Sequence, residues 1–224
     1  MRRRAPPWRR AWRGRSGRSR SWSPPRSEPA MSASGDLFGA PPPRRHSLFF
    51  ALLPDAATVA ALRAARQALE AELPPQRGRG VPDGKLHLTL HWLGEWSQPP
   101  QATVDAAREA AAAVRVPRFS VTLDTADCFG RCEAVWVLRG AASPPLLALH
   151  GTLATELAQR RVRLSPGSGF APHVTLRRRA SVRIVPRPLP PVHWPVGDFA
   201  LLESVRGPGS AGYRLLGRWP LQAG

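Results

Sequence analysis

Apolar residues along the chain fall into short extended runs alternating with stretches of helical spacing. Ser47-Leu48-Phe49-Phe50-Ala51-Leu52-Leu53 is a continuous run suited to a buried strand, stopped by Pro54-Asp55. Asp55 can cap a helix with Val59, Leu62, Leu69 and Leu73 on its apolar face, closed by Pro74-Pro75. Residues 76–84 are rich in Gly, Pro and Arg and are expected to form a loop into a second strand that ends at Gly94. Residues 97–114, two prolines followed by many alanines, predict a second helix. Strands are expected at 119–123 and 134–138, with Cys128-Phe129-Gly130 near the turn between them. Ser143-Pro144 opens a third helix whose face is Leu146, Leu149, Leu153 and Leu157. A loop over 164–169 leads to another strand, residues 186–195 are Pro-rich and expected to be irregular, and strands at 199–204 and 213–216 enclose a Gly-rich turn. Helices mixed with mostly antiparallel strands predict an α+β fold.

Within this pattern one phrase occurs twice. His87-Leu88-Thr89-Leu90 returns as His173-Val174-Thr175-Leu176. Both copies read as strands, in which residues two apart share a face. His87 and Thr89 therefore point one way and His173 and Thr175 another, with Leu88, Leu90, Val174 and Leu176 behind them in a core. The duplication predicts two lobes related by a rough twofold, with a cleft between. Two imidazoles pass protons near neutral pH and two hydroxyls donate to an anion. Splitting a phosphodiester without a metal needs such a set: one ring removes a proton from the attacking oxygen and the other protonates the leaving oxygen.

Composition modifies this picture only slightly. At 224 residues and 42% hydrophobic the chain can bury a substantial core. It contains no apolar run approaching the ~18–20 residues of a membrane span, so no membrane partner is expected. The net charge is +18, and residues 1–45 contribute +10 of it. That segment is rich in Arg, Ser and Pro, lacks periodicity and is expected to be disordered, with the folded domain over 46–224. The favoured reading starts translation at Met31, and a solvated tail is the alternative. The basic balance of the remainder suits an RNA partner. Cys128 and Cys132 are too few for a disulfide framework or a zinc ribbon and are read as reduced thiols of a cytoplasmic protein.

The paired motif resembles the signature of the 2H phosphoesterase superfamily. Phe49-Phe50-Ala51-Leu52, Leu93-Gly94, Phe170-x-Pro172-His173-x-Thr175-Leu176 with Arg178, and Glu203-Ser204 before Gly212-x-Arg214 are similar to bacterial RNA 2′,3′-cyclic phosphodiesterases, also called 2′-5′ RNA ligases. The likeness runs from about Ser47 to the C-terminus. It implies a bilobal fold of two antiparallel sheets with outer helices, and hydrolysis of RNA 2′,3′-cyclic phosphate ends to 2′-phosphomonoesters. His87 would be the proton donor, His173 the proton acceptor, and Thr89, Thr175 and Arg178 the phosphate-binding residues. No cofactor or metal is implied, and a monomer is expected. The family's first strand often begins with Arg where this chain has Ser47, which leaves open any substrate contact from there. Two alternatives stand beside this reading: an RNA-binding module that holds a phosphate without turnover, and action on 2′-5′ linked or small cyclic nucleotides.

Several neighbouring residues have plainer readings. On a regular strand His91 shares the face of His87 and Thr89, so it is expected to line the cleft or its edge rather than to complete a zinc site. His150 is read as structural, and no partner is assigned to His46 or His193. Trp92 and Trp96 are candidates for stacking on a base, with core packing preferred for Trp92.

Overall fold

The structure is a computed structural model, described for residues 44–130, 132–164, 169–207 and 212–223. All but the last two residues of the Arg/Ser/Pro-rich segment expected over 1–45 lie outside the described residues, as do residues 165–168 and 208–211 of two expected loops. In chain order the elements are β1 (Arg45–Leu52), α1 (Ala56–Ala71), β2 (Arg79–Gly80), β3 (Leu88–Trp96), α2 (Gln101–Ala113), β4 (Phe119–Phe129), β5 (Ala134–Arg139), α3 (Pro144–Gln159), β6 (His173–Ala180), β7 (Arg187–Val196), β8 (Asp198–Arg206) and β9 (Tyr213–Pro220). Asp55 caps α1 as expected, its carboxylate accepting from the Thr58 amide at 2.7 Å. The leucines expected on α3 are all buried. Among the described residues no helix is long and apolar enough to cross a membrane.

The strands run β7-β4-β5-β6-β3-β1-β8-β9, each antiparallel to its neighbours. The α+β class is as expected, and the two expected sheets are the two halves of one hydrogen-bonded path. The halves meet at a single register pair, Leu88 with Val174. Following the registers outward from that pair gives a row of four apolar residues, Leu52, Leu88, Val174 and Leu138, all fully buried. The order of elements also matches across the junction. β1-α1-β3 in one half corresponds to β5-α3-β6 in the other, with the two inner strands carrying the repeated motif. Although α1 connects β1 to β3, it packs on β6 and β7, and α3, which connects β5 to β6, reaches β3. The helices therefore tie the two halves together behind the sheet.

Two features differ from the sequence pattern. The Pro-rich stretch at 187–196 is a strand, not irregular chain. β7 lies at the edge of the sheet and bonds only to β4, so prolines lacking a donor are tolerated there. Val192, Trp194 and Val196 alternate into the core beneath them. The loop over 76–84 contains β2, which pairs with Arg177 and Arg178 of β6. Gly78, at φ 78°, makes this approach possible, because a Cβ there would sit 2.1 Å from the Arg178 carbonyl oxygen.

Leu88 sits at the one register pair that joins β3 to β6 and is fully buried. Leu88→Ala is expected to lower unfolding free energy by about 2–5 kcal/mol. Trp92→Ala, on the same strand but exposed, is expected to cost less than about 1 kcal/mol. Denaturant midpoints at constant slope measure both.

Candidate active site

The two motif histidines are held in the same way. Nδ1 of His87 donates to the Lys85 carbonyl and Nδ1 of His173 to the Ala171 carbonyl, each two residues back and each at 2.8 Å. Because a carbonyl only accepts, the proton is fixed on Nδ1 and Nε2 keeps its lone pair for chemistry. A short 3-10 turn over Asp83–Lys85 presents the Lys85 carbonyl to His87. Aromatic edges fix the rings further. Phe49 and Tyr213 lie 5.1 and 5.3 Å from the His87 ring, and Phe129 lies 4.8 Å from that of His173. Counting one residue outward from the Leu88–Val174 pair matches His87 with Thr175 and Thr89 with His173. Both pairs are on the face opposite the apolar row.

Beyond the motif each inner strand is bulged, and at corresponding positions. Opposite β1, Phe50 pairs with His91 but Ala51 with Thr89, leaving Leu90 as an extra residue; opposite β5, Trp136 pairs with Arg177 but Val137 with Thr175, leaving Leu176. A second pair of extra residues, Leu93 and Arg179, follows in the same way. Arg179 has φ 58°, in the left-handed region, and in the other copy Gly94, with φ 150°, follows the bulge. An extra residue reverses which way the following side chains point.

This reversal overturns the expectation for His91. Its side chain is buried on the helix side, with Nε2 donating to the His150 carbonyl at 2.9 Å and its ring stacked 4.0 Å from that of His150. Phe170 stacks on the other side of His150 at 4.1 Å, so His150 is structural, as expected. Trp92, expected in the core, is 44% exposed and lines the cleft. The second copy repeats the exchange. Arg177 turns to the helix side, where it bonds Glu70 of α1 at 2.8 Å and lies over the Trp136 ring. Arg178, which strict alternation from His173 and Thr175 would turn away, lines the cleft with His87 and Thr89.

Ser47, Phe49, Trp92, Ser204, Arg206 and Tyr213 complete the lining. Ser47 donates to the Glu95 carboxylate at 3.0 Å. His173 and Thr175 lie on β6 beside this pocket, and the charge of His173 is felt by His87. Tyr213, the single tyrosine of the chain, places its hydroxyl 3.4 Å from His87 Nδ1. His46, left without a partner in the sequence reading, meets the buried Glu203 at 2.5 Å, and Arg214 meets its other oxygen at 2.5 Å. His193 lies 3.3 Å from the Thr122 hydroxyl. Cys128 and Cys132 are both free thiols.

Burial pushes the His87 imidazole below its ordinary pKa; the bond to the Lys85 carbonyl partly opposes this, and the charges of Arg178 and His173 add to the lowering. Burial also raises the Tyr213 phenol, against the charges of Arg178 and Arg206. The His150 imidazole is pushed down to about 4, by burial and then by His91.

Comparison with known proteins places the chain in a family. Residues 53–208 match the model of the 2′-5′ RNA ligase superfamily. The chain belongs to that superfamily. It is 36% identical over 152 residues to the RNA 2′,3′-cyclic phosphodiesterase of Escherichia coli, covering 66% of this chain and 82% of that one. It is 32% identical over 170 residues to the protein of the same name from Thermus thermophilus, covering 72% and 85%. The crystal structure of E. coli LigT complexed with 3′-AMP superposes with a TM-score of 0.60 at 30% identity, over 80% of this chain and 99% of LigT. A crystal structure of a Thermus thermophilus protein superposes with a TM-score of 0.64 at 28% identity, over 79% and 98%.

Two titrations check the electrostatics. Followed by NMR of the imidazole carbons, His87 is expected to titrate below an ordinary histidine, and Arg178→Ala to raise its midpoint, because a nearby positive charge is removed. A midpoint unmoved by that substitution would place Arg178 outside the cleft. For His150 the unfolded chain binds protons at a higher pH than the folded one, so stability is lost as pH falls from ~6.5 toward about 4. His150→Leu is expected to flatten that part of the stability profile, measured by denaturant midpoints across the range.

Proposed function

We propose that this protein hydrolyses RNA 2′,3′-cyclic phosphate ends to 2′-phosphomonoesters, with His87 as proton donor and His173 as proton acceptor. The observation that carries the reading is the identical tethering of both imidazoles by Nδ1, which leaves Nε2 of each ring free for proton transfer. The names of the similar proteins from Escherichia coli and Thermus thermophilus support the same substrate class.

In this mechanism Nε2 of His173 removes a proton from a water as its oxygen attacks phosphorus opposite the 3′ oxygen. The P–O3′ bond breaks, and protonated His87 gives its Nε2 proton to the departing 3′ oxygen. The products are a 3′ hydroxyl and a 2′-phosphomonoester. Each proton transfer contributes roughly 10²–10⁴-fold. Hydroxyls of Thr89 and Thr175 and the guanidinium of Arg178 hold the nonbridging oxygens, where charge builds in the transition state. In the free protein burial, and after it the charges of Arg178 and His173, disfavour a proton on His87 Nε2. The bound phosphodiester anion opposes this lowering and so favours the protonated donor. Trp92, exposed in the same cleft, offers a face for the terminal base.

The test is a short RNA ending in a 2′,3′-cyclic phosphate, incubated with excess EDTA, with the position of the product phosphate identified. A 2′-phosphate is expected from wild type. His87→Ala and His173→Ala are each expected to lower the rate by roughly 10²–10⁴-fold while binding is retained. Activity abolished by the chelator and restored by zinc would overturn the reading, and so would loss of binding in step with rate.

A further inference from the structure

The cleft is longer than one phosphate needs. Its lining runs from His87 and Thr89 past Trp92 and Phe49 to Ser47, Ser204 and Arg206. Thr89 is level with Ala51 of β1, whereas Ser47 is level with Glu95 and Ser204, four residues further along. At about 3.3 Å per residue that is a separation of about 13 Å. Arg206 stands two residues beyond Ser204 on β8. A phosphate seated between the histidines is served by Thr89, Thr175 and Arg178, while Arg206 is anchored further along on β8.

Arg206 is nevertheless oriented toward this pocket. Its Nη1 lies 3.5 Å from the Glu95 carboxylate, which also accepts from Ser47, so an acid on β3, across β1, holds the long side chain at the cleft. Tyr213, opposite Ser204 on β9, lines the same pocket and feels the charges of both Arg178 and Arg206. The lining thus holds one cation beside the histidine, an exposed indole and a phenol, and a second cation anchored further along. A single nucleotide has no phosphate for that second cation, but a polynucleotide does.

We infer that Arg206 binds a phosphate of the RNA chain upstream of the reacting end, and so makes the enzyme selective for oligonucleotides over mononucleotides. The inference rests on the cyclic phosphodiesterase reading and assigns the far end of the same cleft. A guanidinium bonding an exposed phosphate is worth about tenfold in affinity.

The experiment compares kcat/KM on a trinucleotide ending in a 2′,3′-cyclic phosphate with kcat/KM on a nucleoside 2′,3′-cyclic phosphate. Wild type is expected to prefer the trinucleotide, and Arg206→Ala to lower the ratio of the two constants about tenfold. Removing Arg206 also uncovers Glu95, so the Glu95→Gln/Arg206→Ala protein is measured alongside and the ratio is expected to stay low. A ratio unchanged by Arg206→Ala overturns the inference. So does a ratio restored in the double variant, which would make repulsion by Glu95 the whole effect. Wild type inactive on both substrates would overturn the phosphodiesterase reading itself, whatever the variants do.

Discussion

The site depends on the register between the two inner strands of the sheet, β3 and β6. Leu88 and Val174 are the only residues through which β3 and β6 are paired, and they sit in the middle of a fully buried row from Leu52 to Leu138. On the opposite face the flanking positions hold His87, Thr89, His173 and Thr175. Burial of the apolar row and the outward placement of the two His-Thr pairs are thus one geometric fact, because successive residues of a strand alternate faces. Shifting this pairing by one residue would turn the histidines into the core.

The pair alone does not complete the site. Extra residues at Leu90 and Leu176 reverse the alternation directly after each motif, at the same step in both copies. The duplication therefore extends past the repeated residues into backbone geometry. The two bulges are put to different uses. In the first copy the reversal brings the Trp92 indole into the cleft and places His91 against α3; in the second it brings in the Arg178 guanidinium and places Arg177 against Glu70 of α1. One backbone device, used twice, supplies an aromatic face from one half and a cation from the other.

Much of this was legible in the sequence because it depends on residue type and period. The repeated His-x-Thr phrase, the leucine face of α3, the Asp55 cap and the antiparallel α+β class all follow from local patterns. The bulges do not, since no residue of Thr-Leu-His or Thr-Leu-Arg marks an extra backbone step, and a strict period of two puts His91 inside the cleft and Trp92 in the core. Arg178 was found by its resemblance to a family pattern and not by alternation, which would have chosen Arg177. The cleft residues from β8 and β9, Ser204, Arg206 and Tyr213, come from strands far away in sequence, and only the sheet order brings them to the motif. In β7 the prolines obscured the alternation of Val192, Trp194 and Val196, which was there to be read once an edge position is allowed.

The most direct measurement is a crystal structure of the protein with a nucleoside 2′-monophosphate bound. The phosphate is expected to lie between Nε2 of His87 and Nε2 of His173, within hydrogen-bond reach of the Thr89 and Thr175 hydroxyls and of Arg178, with Arg177 still on Glu70. A phosphate held by Arg177, or seated away from either imidazole, would contradict this.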